Sequence, residues 1–306
     1  MKKILKNISP FNNKTDMPNI LFVIKKILAF WFCYIAGLFI AEGFAILLHF
    51  AMGKNMLVGE VFDDRTIQLI IYYGYIVVIA IALLYWKFIE KKPITQIGFN
   101  KKIGNYFIGA VVGVLILLIS VIAVVITGSI EYHGIFDNIN VPVLLLFVGG
   151  FVIQGAMEEV LCRGLVLQSL KDKVSLPIAI AVSTVMFILP HSSSLFSGEI
   201  IYSVIGIVNL ILISIIFSLF TIKFNNIWVA CGLHSFWNLV LYNVLGLNLS
   251  GTDEATAIFN MQSVGDNILN GSFYGIEASI ITTVVLGAFT ATFLLLDKKK
   301  NIEKTK

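Results

Sequence analysis

Runs of about twenty apolar residues, broken by short polar stretches, recur along the whole chain. Eight runs stand out, at 27–50, 67–88, 106–127, 143–170, 176–189, 200–222, 227–245 and 276–296. At 1.5 Å per residue most are long enough to cross a hydrocarbon layer about 30 Å thick. The fifth is short, and its helix either stops at Pro190 or runs past it. No long polar linker separates the runs, so they read as one unit. The pattern predicts an all-α polytopic membrane protein, a bundle of about eight transmembrane helices.

Composition agrees. The chain is 58% hydrophobic and 13% charged, with a mean hydropathy of +0.91, whereas soluble domains carry roughly 25% charged residues. The net charge of +4 does not point to nucleic acid, because the lysines gather at helix ends. Lys2, Lys3 and Lys6, Lys87, Lys91 and Lys92, Lys101 and Lys102, and Lys298–Lys300 fall on alternate loops. The positive-inside rule then places both termini in the cytoplasm. Opposite loops carry Glu60, Asp63, Asp64, Glu131, Asp137, Asp253, Glu254 and Asp266. Residues 1–20 are too polar for a signal-peptide core, and run 27–50 is too long for one. Cys33, Cys162 and Cys231 lie in apolar runs and read as small buried hydrophobes.

Against this background a few polar groups sit where they are costly. Glu158 and Glu159 are adjacent in run 143–170, with Arg163 one turn on. Ionisable groups at that depth pair or face a polar cavity, and mark a functional site by default. Glu159 and Arg163 share a helix face at i, i+4, the arrangement of an intrahelical ion pair. Glu158, about 100° around the helix, is left for chemistry. Glu158 lies about 14 residues, or ~21 Å, before the turn at Lys171–Lys173, and His191 lies a similar length beyond it. His234 lies about 9 residues, or ~13 Å, beyond the Lys223–Asn226 turn. These groups therefore meet inside the bilayer, around an intramembrane polar cavity that contains water. Phe187 and Asn238 stand one turn from His191 and His234.

A carboxylate and an imidazole converging on water can activate it. A second histidine and an amide can hold the oxyanion formed when that water attacks a carbonyl. Peptide hydrolysis is the natural reaction for such a set. No serine sits in a Gly-x-Ser-x-Gly elbow, and Cys162 has Glu158 one turn away, which disfavours its thiolate. Glu158, His191 and His234 are also candidate ligands for a divalent metal such as zinc, although no His-Glu-x-x-His pattern is present. The composition does not decide between a metal-bound water and one held by Glu158 and His191 alone. Glu277 reads as a helix-opening carboxylate that favours the dipole. His49 reads as solvated near the outer surface, and Glu42 as structural.

The patterns Glu158-Glu159-x-x-x-Arg163, Phe187-x-x-x-His191 and His234-x-x-x-Asn238 resemble the three motifs of the CPBP family. That family comprises CAAX-type prenyl endopeptidases and the bacterial "Abi" group first linked to bacteriocin self-immunity. The stretch Asn226–Asn238 is similar to the third motif with its lead-in, and Phe273–Ser279 resembles the segment that opens the last helix. The resemblance covers roughly 140–295; Pro190 beside His191 is its one departure. It implies an intramembrane endopeptidase, metallo- or glutamate-dependent, acting on a membrane-associated peptide or protein. Glu158 would be the general base, assisted by His191. His234 and Asn238 would bind the oxyanion or contribute to a metal site, while Glu159, Arg163 and Phe187 support them. The chain then divides into 1–140, with three generic helices, a catalytic core at 141–296, and a basic cytoplasmic tail at 297–306. The implied setting is a multi-pass protein of a bacterial cell membrane. A non-catalytic scaffold or immunity protein keeping the same fold is the alternative reading. A proton-coupled transporter would show repeated halves or interrupted helix pairs, and neither is visible.

Overall fold

The computed structural model describes residues 7–253 and 256–304, without the side chains of Leu57 and 299–304. Lys2, Lys3, Lys6 and Glu254, used above for orientation, lie outside the described residues. Among those described, eight main helices appear, each on one predicted run: α1 (Asn19–Ala51), α2 (Asp64–Leu84), α3 (Asn105–Ile126), α4 (Val141–Glu159), α5 (Leu176–Ile188), α6 (Ile200–Phe224), α7 (Trp228–Leu239) and α8 (Ile280–Lys304). Their ends follow local chemistry. Asp63 accepts the Thr66 amide to open α2, and Asn140 accepts the Val143 amide to open α4. Asn225, in the left-handed region at φ 50°, closes α6.

Seven of these helices, with their continuations, are long and apolar enough to span a membrane. The exception is α7, which with its π-helical continuation Val240–Val244 reaches only about 25 Å. Strand pairing shows that it crosses nonetheless. Strand β1 (Ile130–Ile135), before α4, pairs antiparallel with β2 (Phe259–Ser263), after α7. The two strands share one face, so the chain between them crosses an even number of times. Helices α4, α5 and α6 supply three crossings, and α7 supplies the fourth.

The opposite face is tied as firmly. Lys26 Nζ lies 2.6 Å from Glu90 Oε2, with both side chains almost fully buried. The Ile227 amide donates to the Gly98 carbonyl, Trp228 Nε1 donates to the Asn100 carbonyl, and Lys223 pairs with Asp297 at 3.2 Å. The amino end of α1 and the carboxyl half of α8 therefore lie on the same face. Large apolar side chains such as Phe39, Phe107, Leu145 and Val284 point outward and stay more than half exposed. In water such a band would be a liability; in lipid it is the solvated surface.

Helices in lipid gain little from hiding apolar surface, so close packing and internal polar contacts hold them together. The tightest crossing joins α3 to α7. A Cβ on Gly109 would run into the Val229 carbonyl, one on Gly232 into the Tyr106 carbonyl, and one on Gly113 would stand 2.6 Å from the Leu233 oxygen. Gly109 and Gly113 form a Gly-x-x-x-Gly step, and backbones meet there because side chains are missing. The predicted start of the last helix needs correction. Run 276–296 begins with a 3₁₀ turn at Ile276–Ala278, and the extended backbone of Ser279 separates that turn from α8, which opens at Ile280.

Candidate active site

The α-helical pitch of α4 ends at Glu159 and continues as π-helix through Val160–Leu167. Widened turns of this kind recur at functional sites. Just before it, two neighbouring carboxylates diverge by the ordinary rotation of about 100° per residue. Glu159 is fully buried. Its Oε1 accepts from Arg163 Nη1 at 3.0 Å and lies 3.1 Å from His234 Nδ1. Arg163 donates through Nη2 to the carbonyl and hydroxyl oxygens of Ser214 on α6. Its guanidinium also lies between the rings of Phe187 and Phe217, 4.7 and 4.9 Å from their centroids. His234 stacks on Phe217 at 5.0 Å. One ion pair thus binds α4 to α5, α6 and α7.

Glu158 faces elsewhere. Its Oε1 accepts from Gln154 Nε2 at 2.5 Å, one turn earlier on α4. Gln154 in turn accepts from Asn238 Nδ2 at 2.9 Å. The other oxygen, Oε2, is buried without a hydrogen bond and lies 3.9 Å from His191 Nε2. Past Ile188 the chain narrows to a 3₁₀ turn, Leu189–His191, and then resumes as a short helix, Ser192–Leu195. Pro190 thus ends the α pitch of α5 without ending the rod. His191 Nδ1 contacts the Phe187 carbonyl at 2.8 Å. A carbonyl only accepts, so Nδ1 carries the proton, and in the neutral ring Nε2 is an acceptor. Two acceptors therefore face each other across 3.9 Å, a span that one water donating both ways would fill.

His191 stands between two cavities. One, about 170 Å³, is lined by Glu158 and by Phe30, Tyr34, Tyr75 and Met186. The other, about 130 Å³, is lined by Gln154, His234, Asn238, Asn209 and Glu277. His191 and Phe187 belong to both. All seven site residues expected from sequence, Glu158, Glu159, Arg163, Phe187, His191, His234 and Asn238, meet around this junction. Gln154 was missed. Its signal was an amide one turn before Glu158 on the same face of an apolar helix.

Glu277 does not cap α8. Its Oε1 accepts from Trp237 Nε1 at 3.1 Å, and Oε2 accepts from both the amide and the hydroxyl of Ser250. His49 is buried rather than solvated, its Nδ1 2.7 Å from the Ala45 carbonyl oxygen. Glu42 is exposed on α1. The N-terminal helices are not generic, because Tyr34 of α1 and Tyr75 of α2 line the Glu158 cavity.

The chain's own donors do not assemble a metal site. Among the described residues no three His, Cys, Asp or Glu side chains come together as ligands. Glu158 Oε2 faces His191 Nε2 across 3.9 Å, while His234 engages Glu159 through Nδ1. The Nδ1 contacts of both histidines leave their Nε2 atoms free, as in metal-bound histidines, but three donors are not gathered around one point among the described residues, and no step below passes through a metal.

Residues 140–240 match a family model described as Type II CAAX prenyl endopeptidase Rce1-like. The match spans all three motifs, so over this third of the chain the resemblance seen in sequence to CAAX-type proteases of the CPBP family holds. No curated protein and no solved structure matches the chain.

Proposed function

We propose that the protein is an intramembrane endopeptidase in which Glu158 and His191 activate water for attack on a peptide bond of a membrane-associated substrate. The observation that carries this reading is the buried, unpartnered Glu158 Oε2 facing His191 Nε2 across 3.9 Å. A water bridging them donates a hydrogen bond to each acceptor and turns a lone pair toward the substrate carbonyl. As the oxygen–carbon bond forms, the water's proton passes to Glu158. The carbonyl π pair moves onto oxygen. Collapse breaks the carbon–nitrogen bond, and the proton held by Glu158 goes to the leaving amine.

The oxyanion needs donors. Asn238 gives one amide hydrogen to Gln154 and keeps its second for the substrate. His234 engages Glu159 through Nδ1, so Nε2 is its remaining polar atom toward the cavity. Donation from Nε2 requires the imidazolium, and the Glu159 carboxylate supplies the countercharge. Gln154 fixes both Asn238 and Glu158, so base and oxyanion donor move as one unit.

The substrate is a peptide or protein segment lying in or on the bilayer, and the lysine-rich face carrying both chain ends is cytoplasmic. The test is substrate processing, followed by mass spectrometry of membranes from cells carrying wild type or Glu158→Gln. Cleavage products present in wild type and missing from the variant are expected. Normal biological activity from folded Glu158→Gln protein would overturn the enzymatic reading in favour of a scaffold.

A further inference from the structure

Beside the catalytic junction, a large groove of about 860 Å³ opens on the face that carries β1 and β2. It runs between the amino end of α2 and the turn Leu249–Thr252. Tyr72 and Thr252 line both this groove and the smaller cavity holding His234 and Asn238. The two spaces thus meet at these residues. Tyr72 lies about 12 Å along α2 from Asp64, so the throat is sunk below the membrane surface.

The throat is built, not incidental. Leu249 and Thr252 exchange backbone hydrogen bonds of 3.0 and 2.9 Å, which closes the turn. Glu277 holds Ser250 within it. The Tyr242 hydroxyl lies 2.8 Å from both Gln68 Oε1 and the Asp253 carbonyl oxygen. Gln68 Nε2 donates to the Tyr72 hydroxyl. Helices α2 and α7 and the turn are thereby tied around one opening.

We infer that the catalytic cavity is reached from the face opposite the amino end of α1 and the carboxyl half of α8, through the throat between Tyr72 and Thr252. The substrate's polar flank then lies on that face while its apolar part stays in the bilayer. The identity of the passenger as a substrate rests on the protease reading; the route itself does not. The groove's charged residues, Asp63, Asp64 and Asp253 against Arg65, give it a negative potential, so a cationic flank is favoured over an anionic one.

The route is tested without knowing the substrate. Leu210 lines the inner cavity and is buried on α6. A Leu210→Cys protein in sealed vesicles of either orientation is treated with small membrane-impermeant methanethiosulfonates, one cationic and one anionic. Wild type, whose Cys33, Cys162 and Cys231 are buried, gives the background. Labelling is expected only from the face opposite an epitope placed at the C-terminus, with the cationic reagent faster by about tenfold. Asp64→Asn with Asp253→Asn brings the two rates together, and Thr252→Trp slows both. Labelling from the epitope face, equal labelling from both faces, labelling from neither, or a rate indifferent to Thr252→Trp overturns the route. If labelling behaves as expected while Glu158→Gln still processes substrate, the protease reading falls and the route stands.

Discussion

Glu159 Oε1 lies 3.1 Å from His234 Nδ1 and accepts from Arg163 as well, so one buried oxygen joins two motifs that are 75 residues apart. Both carboxylates keep their second oxygen without a hydrogen bond, but that of Glu158 faces His191 Nε2 at 3.9 Å. Adjacent residues of one type are thus divided between holding the bundle and facing the junction. The division has a measurable signature. Glu159→Gln leaves a buried Arg163 without its counter-charge and is expected to cost about 3–5 kcal/mol, read as a fall in thermal stability in detergent. Glu158→Gln removes a charge that has no cationic partner of its own. It is expected to stay within about 1 kcal/mol of wild type while cleavage falls by about 10²–10⁴-fold. Equal destabilisation by both changes would contradict the assignment.

Gln154 offers a subtler test. Gln154→Met strips Glu158 Oε1 and Asn238 Nδ2 of their shared partner. Leaving such groups unsatisfied costs about 1–3 kcal/mol, which corresponds to roughly a 10–100-fold slower turnover if it is felt in the transition state. Steady-state kinetics should show the loss in kcat with KM little changed. An unaltered kcat would remove Gln154 from the catalytic unit.

Much of this arrangement was legible in the chain. Helix count and membrane placement follow from apolar run length, the ionisable site residues from groups too costly to leave unpaired, and Phe187 and Asn238 from their one-turn spacing and the family resemblance. What escaped has a physical reason in each case. Gln154 is neutral, and a single amide in an apolar helix resembles ordinary interhelical glue. Glu277 opens a helical run in sequence, but the turn at Gly275 redirects it to Trp237 and Ser250. Tyr34 and Tyr75 reach Glu158 only through the packing of α1 and α2 against α4, which periodicity does not encode.

The crossing of α3 and α7 predicts a steep size dependence. Gly232→Ala places a methyl group against the Tyr106 carbonyl and the Ala110 amide, backbone atoms that cannot rotate away. Overpacking of this kind costs about 1–3 kcal/mol, occasionally more, and the yield of folded protein should fall accordingly. Gly287→Ala, with nothing within 4 Å of the added carbon, is the matched control and should behave as wild type. A tolerated Gly232→Ala would mean that the two backbones do not meet there.

The donor geometry also bears on metals. With no three ligands gathered among the described residues, activity is expected to survive prolonged chelation. Purified active protein should hold well under one equivalent of zinc by elemental analysis. Stoichiometric metal with chelator-sensitive turnover would mean that His191 and His234 close on Glu158 through their free Nε2 atoms.

The seam of glycines between α3 and α7 carries a lesson for dissection of the chain. Residues 140–240 hold every motif, yet α7 inside that stretch leans on bare backbone contributed by α3 outside it. A fragment cut at those limits would present lipid with a helix shaped for a neighbour that is gone, and His234 would lose the wall that sets its height. Transplanting the chemistry elsewhere therefore means carrying the earlier helices with it.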